Sequence, residues 1–220
     1  MSQQLFSPGA NTFAKLSLLG GGLVTALILG FLLLRMHSPY TKAPVGIAVE
    51  QPVRFSHELH AGQLNVDCRY CHTSVEKSPY AGIPDTQTCM TCHSQVARYS
   101  ELLEPVRSSY ADNTRIAWNT VHSLAQHVYF NHSIHVNKGV GCETCHGRVD
   151  QMPLVWRNEV MTMRWCLDCH IDPSPYIRPV DQVYTMGYQP SEDQSTLGPK
   201  LIDVNHINVN GLTDCVVCHR

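Results

Sequence analysis

The sequence predicts one membrane-spanning helix followed by a domain of few short helices and much loop. Three observations predict this. Leu16 to Leu34 is a 19-residue run without a charge, bounded by Lys15 and Arg35. Beyond it, residues 36–220 hold only 40 Leu, Ile, Val and Phe in 185 positions. The whole chain of 220 residues carries 10 Cys and 13 His. An aliphatic content that low sits near the level at which a chain struggles to bury a core against its ordering entropy. Something other than side chains must supply the core, and disulfides, metals and cofactors are the usual supplements.

The apolar run comes first. A 19-residue helix is about 28 Å long, close to the hydrocarbon thickness of a bilayer. A cleaved signal peptide is the competing interpretation. Its apolar region would be shorter, and no small-x-small cleavage site follows in Arg35-Met36-His37-Ser38-Pro39-Tyr40. The run therefore reads as an uncleaved anchor over residues 15–35. Residues 1–14 form a polar tail before it. Residues 36–54, with Pro39, Pro44 and Pro52, read as an extended tether.

Net charge is −2, with 15% charged residues, so no basic stripe exists for nucleic acid. No Gly-rich phosphate loop is present, which removes nucleotide chemistry.

The cysteines decide the rest. All ten fall in five copies of one motif: Cys68-Arg-Tyr-Cys71-His72, Cys89-Met-Thr-Cys92-His93, Cys142-Glu-Thr-Cys145-His146, Cys166-Leu-Asp-Cys169-His170 and Cys215-Val-Val-Cys218-His219. C-x-x-C-H is the c-type haem attachment signature. Two thiols bond to the haem vinyl groups, and the following His reaches the iron. Zinc sites use C-x-x-C pairs without a His after each one. Redox C-x-x-C motifs occur singly beside a βαβ pattern, which is absent. Five covalent haems are expected, with no Cys left for disulfides. The haem domain then spans residues 55–220, and haem supplies its core. In bacteria c-type haem is attached outside the cytoplasmic membrane, so this domain should face the periplasm. Lys15 before the run, against Arg35 and Lys42 after it, gives no independent support for that orientation.

Eight His remain, and four of them repeat a pattern. Phe55-Ser-His57-Glu-Leu-His60 precedes Cys68, and Phe130-Asn-His132-Ser-Ile-His135 precedes Cys142. A degenerate third copy, Val204-Asn-His206-Ile-Asn-Val209, precedes Cys215. His at i and i+3 share a helical face. The first can bind the haem of the motif that follows, and the second can reach a neighbouring haem. A short helix would thus join two haems. Residues 55–98 and 130–171 become two dihaem units, linked by a partly helical connector over 99–129. Residues 172–203, with five Pro, read mostly as loop.

F-x-H-x-x-H before C-x-x-C-H resembles the class III multihaem cytochromes c. The resemblance implies that His57, His132 and His206 are distal to the haems on His72, His146 and His219. It implies that His60 and His135 serve the haems on His93 and His170. His122 is a further candidate, on an expected amphipathic helical turn with Trp118, Val121 and Ala125. Met163 or Met161, just before Cys166, would give one His/Met haem of raised potential. His127 and His37 read as surface or membrane-interface residues.

Two stretches narrow the resemblance. His122 to His135, and Met161-Thr-Met163-Arg-Trp165-Cys-Leu-Asp-Cys-His170, are similar to the pentahaem cytochrome c subunit of bacterial alternative complex III. That family implies electron relay from a quinol-oxidising complex to a periplasmic carrier or terminal oxidase. It implies an iron–sulfur, molybdopterin-like subunit and polytopic quinol-binding subunits as partners, with a soluble cytochrome or oxidase as acceptor. If every iron has two protein ligands, no position is open for substrate. Catalysis within this chain alone is therefore not expected. The alternative is a stand-alone membrane-anchored multihaem quinol dehydrogenase.

Overall fold

The computed structural model describes residues 7, 9–37 and 45–219. The chain divides into two compact units, Met1–Pro44 and Val45–Arg220.

In the first unit, helix α1 runs over Ala10–His37. It starts five residues before Lys15, so the expected polar tail is partly helical. The Ala10 amide donates to the Ser7 carbonyl at 2.9 Å, closing the first turn. Phe13, Leu18, Leu19, Leu27 and Phe31 are exposed around its circumference. A helix apolar on every side needs an apolar solvent. This helix is long and apolar enough to cross a membrane. His37 closes the helix, and residues 38–44 of the expected tether lie outside the described residues.

The second unit is a set of short helices with no extended strand among its described residues. A π-helical turn over Glu58–Gln63 carries His60. Helices α2 (Cys68–Cys71) and α3 (Thr86–His93) carry the first two motifs. Helix α4 (Glu104–Ala111) forms the helical part of the connector. Helices α5 (His132–Asn137) and α6 (Cys142–His146) carry the second His pair and the third motif. Helices α7 (Met163–Ile171), α8 (Gln194–Val204) and α9 (Cys215–Cys218) follow.

Polar caps fix where several of these helices begin. Asp67 accepts from the Arg69 amide, Asp85 from Thr88 and Thr162 from Trp165. Each cap satisfies one amide that the first turn leaves open. Helix α6 ends at Gly147, whose φ of +68° suits glycine; a Cβ there would lie 2.5 Å from Asn158.

Three segments differ from expectation. Residues 45–54 do not hang free as a tether. Gly46 donates to the Arg157 carbonyl at 2.8 Å, and Ala48 pairs with Trp156 in an isolated antiparallel bridge. Residues 118–125 are not a helical turn. Asn119 donates from its amide to Gln51 Oε1 at 2.9 Å and from its side chain to the Glu50 carbonyl at 2.7 Å. Those partners hold the segment extended. The Pro-rich stretch contains α8 despite Pro199 within it. Burial of Leu197 and Leu201 with Ile177 offsets the roughly 3 kcal/mol that an interior Pro costs.

The protein core is small, as the composition requires. Val75, Val136 and Val183 form one buried cluster, and Ile177, Leu197 and Leu201 form another.

Candidate haem-binding sites

Each motif places its Cys pair and His on one short helical turn or at its end. All ten Cys are free thiols: Cys68, Cys71, Cys89, Cys92, Cys142, Cys145, Cys166, Cys169, Cys215 and Cys218. None pairs as a disulfide, and all are available to haem vinyl groups. Burial pushes the Cys142 and Cys145 thiols up to about 12 and Cys169 up to about 11.

Every motif His faces a second imidazole. The ring centres of His57 and His72 are 6.4 Å apart with planes 4° from parallel. His60 and His93 are 6.1 Å apart, His132 and His146 6.3 Å, and His135 and His170 6.2 Å. His127 and His219 are 5.6 Å apart. A metal–nitrogen bond of about 2 Å on each side, plus about 1 Å from nitrogen to ring centre, puts two axial imidazoles about 6 Å apart. Four pairs match that span closely, and the fifth is slightly tighter. The residues therefore fit an iron held between two imidazoles. Among the described residues, no three His, Cys, Asp or Glu side chains converge into a metal cage of the zinc type.

The ring orientations support the same use. The Nδ1 atoms of His60, His72, His93, His132, His135, His170 and His219 lie 2.6–3.0 Å from backbone carbonyls. A carbonyl only accepts, so each Nδ1 carries the proton and Nε2 keeps its lone pair. Histidines that bind metals are typically held this way. Burial, and then the neighbouring imidazoles, push His57 down to about 4 and His146 down to about 3. Both rings are neutral at neutral pH, with lone pairs free for a metal.

The Phe of each repeat has a definite place. Phe55 stacks on His60 and Phe130 on His135, each with ring centres 4.4 Å apart. Each Phe also meets the first His of its pair edge-on at 4.8 Å.

The structure differs from the expected ligand set at the fifth motif. His206, not His127, was expected opposite His219. His206 instead lies in a turn after α8 with φ +50°, where its carbonyl accepts from Lys138 Nζ at 3.2 Å. No other ring stacks against it among the described residues. His127 reaches His219 because the 127–129 segment runs beside α9. Tyr129 donates to the Cys218 carbonyl at 2.8 Å, and His219 Nδ1 donates to the His127 carbonyl at 3.0 Å. The sequence offered no periodic signal for this, since His127 belongs to no F-x-H-x-x-H copy.

His122 lies 4.4 Å from His146, edge to face, too close for a metal between them. Its buried Nε2 has no hydrogen-bond partner. Met163 is exposed at the start of α7, and the imidazole facing His170 is His135.

The third motif is the most firmly clamped. Glu143 accepts from the Gly187 amide at 2.6 Å and pairs with Arg178 at 2.8 Å. The guanidinium of Arg178 also lies 4.8 Å over the Tyr188 ring.

Comparison with known proteins finds multihaem cytochromes c. The class III cytochrome c family model matches residues 34–110. The model for cytochrome c7 and related cytochromes c matches residues 128–220. A relative is the multihaem cytochrome c subunit of a menaquinone reductase from Nitratidesulfovibrio vulgaris. It is 27% identical over 180 residues, covering 78% of this chain and 77% of the relative. With a C-x-x-C-H turn and a facing imidazole at every site, and similarity to one family model over 34–110 and another over 128–220, the chain has a multihaem cytochrome c fold similar to the class III and cytochrome c7 types.

Proposed function

We propose that this chain is the membrane-anchored electron relay of a quinol-linked respiratory complex, carrying five covalent haems with two imidazoles each. One observation carries the reading: every motif His faces a second imidazole at about the separation an iron needs. Each iron would be held between two imidazoles: His72 with His57, His93 with His60, His146 with His132, His170 with His135 and His219 with His127. The ten motif Cys would attach the haem edges. When bound, haem supplies reversible one-electron chemistry. Nδ1 bonds fix seven of these ten rings, and with two imidazoles on each iron no position would remain for substrate. Substrate chemistry therefore falls to other subunits, as does quinone binding, because one helix cannot enclose a headgroup.

The sequence similarity to the alternative complex III cytochrome supports electron flow from quinol outward. In this reading the partners are an iron–sulfur, molybdopterin-like subunit and polytopic quinol-binding subunits, with a periplasmic carrier or oxidase as acceptor. The haem domain lies on the periplasmic side of the cytoplasmic membrane, where c-type haem is attached. A second reading runs the electrons the other way, into menaquinone. It is favoured by the naming of the relative as a menaquinone reductase subunit.

The test uses the native protein extracted in mild detergent. Haem content by the pyridine haemochrome method should give five per chain. Low-temperature EPR of the oxidised protein should show only low-spin iron. A stable high-spin haem, or fewer than five haems, overturns the reading. His127→Ala should convert one haem to high spin and His206→Ala none; the reverse result would restore His206 as ligand. Quinol oxidation by the isolated chain would establish the stand-alone dehydrogenase instead.

A further inference from the structure

The five motifs touch one another in an order that differs from their order in the sequence. The first and second meet through Tyr70, whose hydroxyl lies 2.6 Å from Thr91 Oγ1. Cys92 adds to the effect of burial in raising the Cys71 thiol, so the two motifs also approach through their thiols. The first and third meet across a broader contact. The Pro79 carbonyl, in the loop after the first motif, accepts from His132 Nδ1 at 2.7 Å. Val75 and Val136 share one buried cluster, against which Cys142 packs, and Asn137 donates to the Glu76 carbonyl at 3.0 Å. Helix α5 joins the third and fourth, since His132 faces His146 and His135 faces His170. The fourth and fifth meet where His170 Nδ1 donates to the Leu212 carbonyl at 2.8 Å. Among the described residues, no hydrogen bond, ion pair or ring contact joins the second motif to the third, fourth or fifth.

We propose that the five attachment sites form an unbranched row in the order second, first, third, fourth, fifth. The proposal rests on the five-haem reading above and adds its connectivity. The cause is the asymmetry of the first His pair. Its two His serve the first and second motifs, but only the first motif packs on the second dihaem unit. The second motif is therefore pushed to the outside. Cys92 is exposed there, as are Val96 and Tyr99 beyond it, at 62% and 85%. At the other end Cys215 and Val216 are exposed. The third motif holds the middle, where burial and the Arg178 clamp are greatest.

The test is proton NMR of the full chain, reduced and diamagnetic, in detergent micelles. Nuclear Overhauser contacts between haem substituents should link second to first, first to third, third to fourth and fourth to fifth. C89S/C92S and C215S/C218S variants assign the end sets. Each should delete one set of haem signals and shift only one other set. A contact between the second and third haems, or an end deletion that shifts two other sets, overturns the order. Should a double variant fail to accumulate, the wild-type contacts still decide the question, with each haem assigned through its motif His. A haem count below five would refute the five-haem reading separately, and the remaining contacts would still test the order.

Discussion

The two F-x-H-x-x-H repeats build nearly the same local device in different surroundings. Ring separations match within about 0.1 Å: 6.4 against 6.3 Å for the first His, and 6.1 against 6.2 Å for the second. The Phe stacks at 4.4 Å in both. The backbones differ, a π-helical turn in the first repeat and an α-helix in the second. The supports differ more. His132 Nδ1 has the Pro79 carbonyl, whereas His57 Nδ1 is buried without a partner. The ion pair on the first motif, Arg69 with Asp67, is half exposed at 50% and 48%. That on the third, Arg178 with Glu143, is nearly buried at 9% and 16%. The motif sets the ring separations; the tilt of the second pair, 69° for His60 with His93 against 29° for His135 with His170, and the firmness of support differ with the surroundings.

That contrast can be broken most sharply at the ion pairs. Arg178→Ala leaves the Glu143 carboxylate with the Gly187 amide and the more distant Arg148 at 3.9 Å, and should cost about 2–3 kcal/mol in denaturant unfolding of the haem-loaded chain. Arg69→Ala, in the solvent-screened pair, should lower stability far less. Equal losses would show that the two units are supported alike. Next in size is Gly62→Ala at the end of the π-helical turn. A Cβ there would lie 2.1 Å from the Asp150 carbonyl oxygen, so the first repeat must move off the segment after the third motif. We expect a loss of about 1–3 kcal/mol. A melting temperature equal to wild type would mean that this approach does not constrain the repeats.

A smaller effect sharpens the likeness instead. Phe55→Leu and Phe130→Leu should each lose about 1 kcal/mol of ring packing, with similar shifts in the Soret circular dichroism. A large effect at only one would end the equivalence of the repeats. The smallest effect is in pH. Hydrogen bonds from Arg69 and Thr88 hold Asp67 and Asp85 below their ordinary range. Their folded pKa values are depressed, so the caps contribute fully above about pH 4. They are lost as pH falls through the folded values. The third motif opens at Gly141, which has no side-chain cap to titrate. Acid titration should loosen the first and second motifs at their helix starts. D85N should remove the acid dependence of the second motif's start while leaving that of the first, and an unchanged acid profile in D85N would contradict it.

Much of this was legible because C-x-x-C-H and F-x-H-x-x-H are local patterns. The five Cys–His turns and the i, i+3 placement of each His pair follow from local spacing, whereas the motif His that each one faces comes from the resemblance to class III multihaem cytochromes c. His127 was not legible, because it reaches His219 only through the run of 127–129 beside α9, a contact 92 residues apart in sequence. The same holds for residues 118–125. Their apolar spacing suggested a helix, but hydrogen bonds to Glu50 and Gln51 keep them extended. Helix α8 was hidden by Pro199, whose local cost is offset by tertiary burial of Leu197 and Leu201.

The bond from His170 Nδ1 to the Leu212 carbonyl has a consequence in time. The acceptor lies 42 residues after its donor. The other six carbonyls holding these imidazoles either precede their histidine or follow within 10 residues. At a synthesis rate of about 5–20 residues per second, Leu212 emerges about 2–8 s after His170. For that interval the fourth motif has its thiols and its histidine but no anchor for the ring. Biogenesis of this site waits on the end of the chain, so a nascent protein stalled before Leu212 carries a fourth imidazole still free to turn.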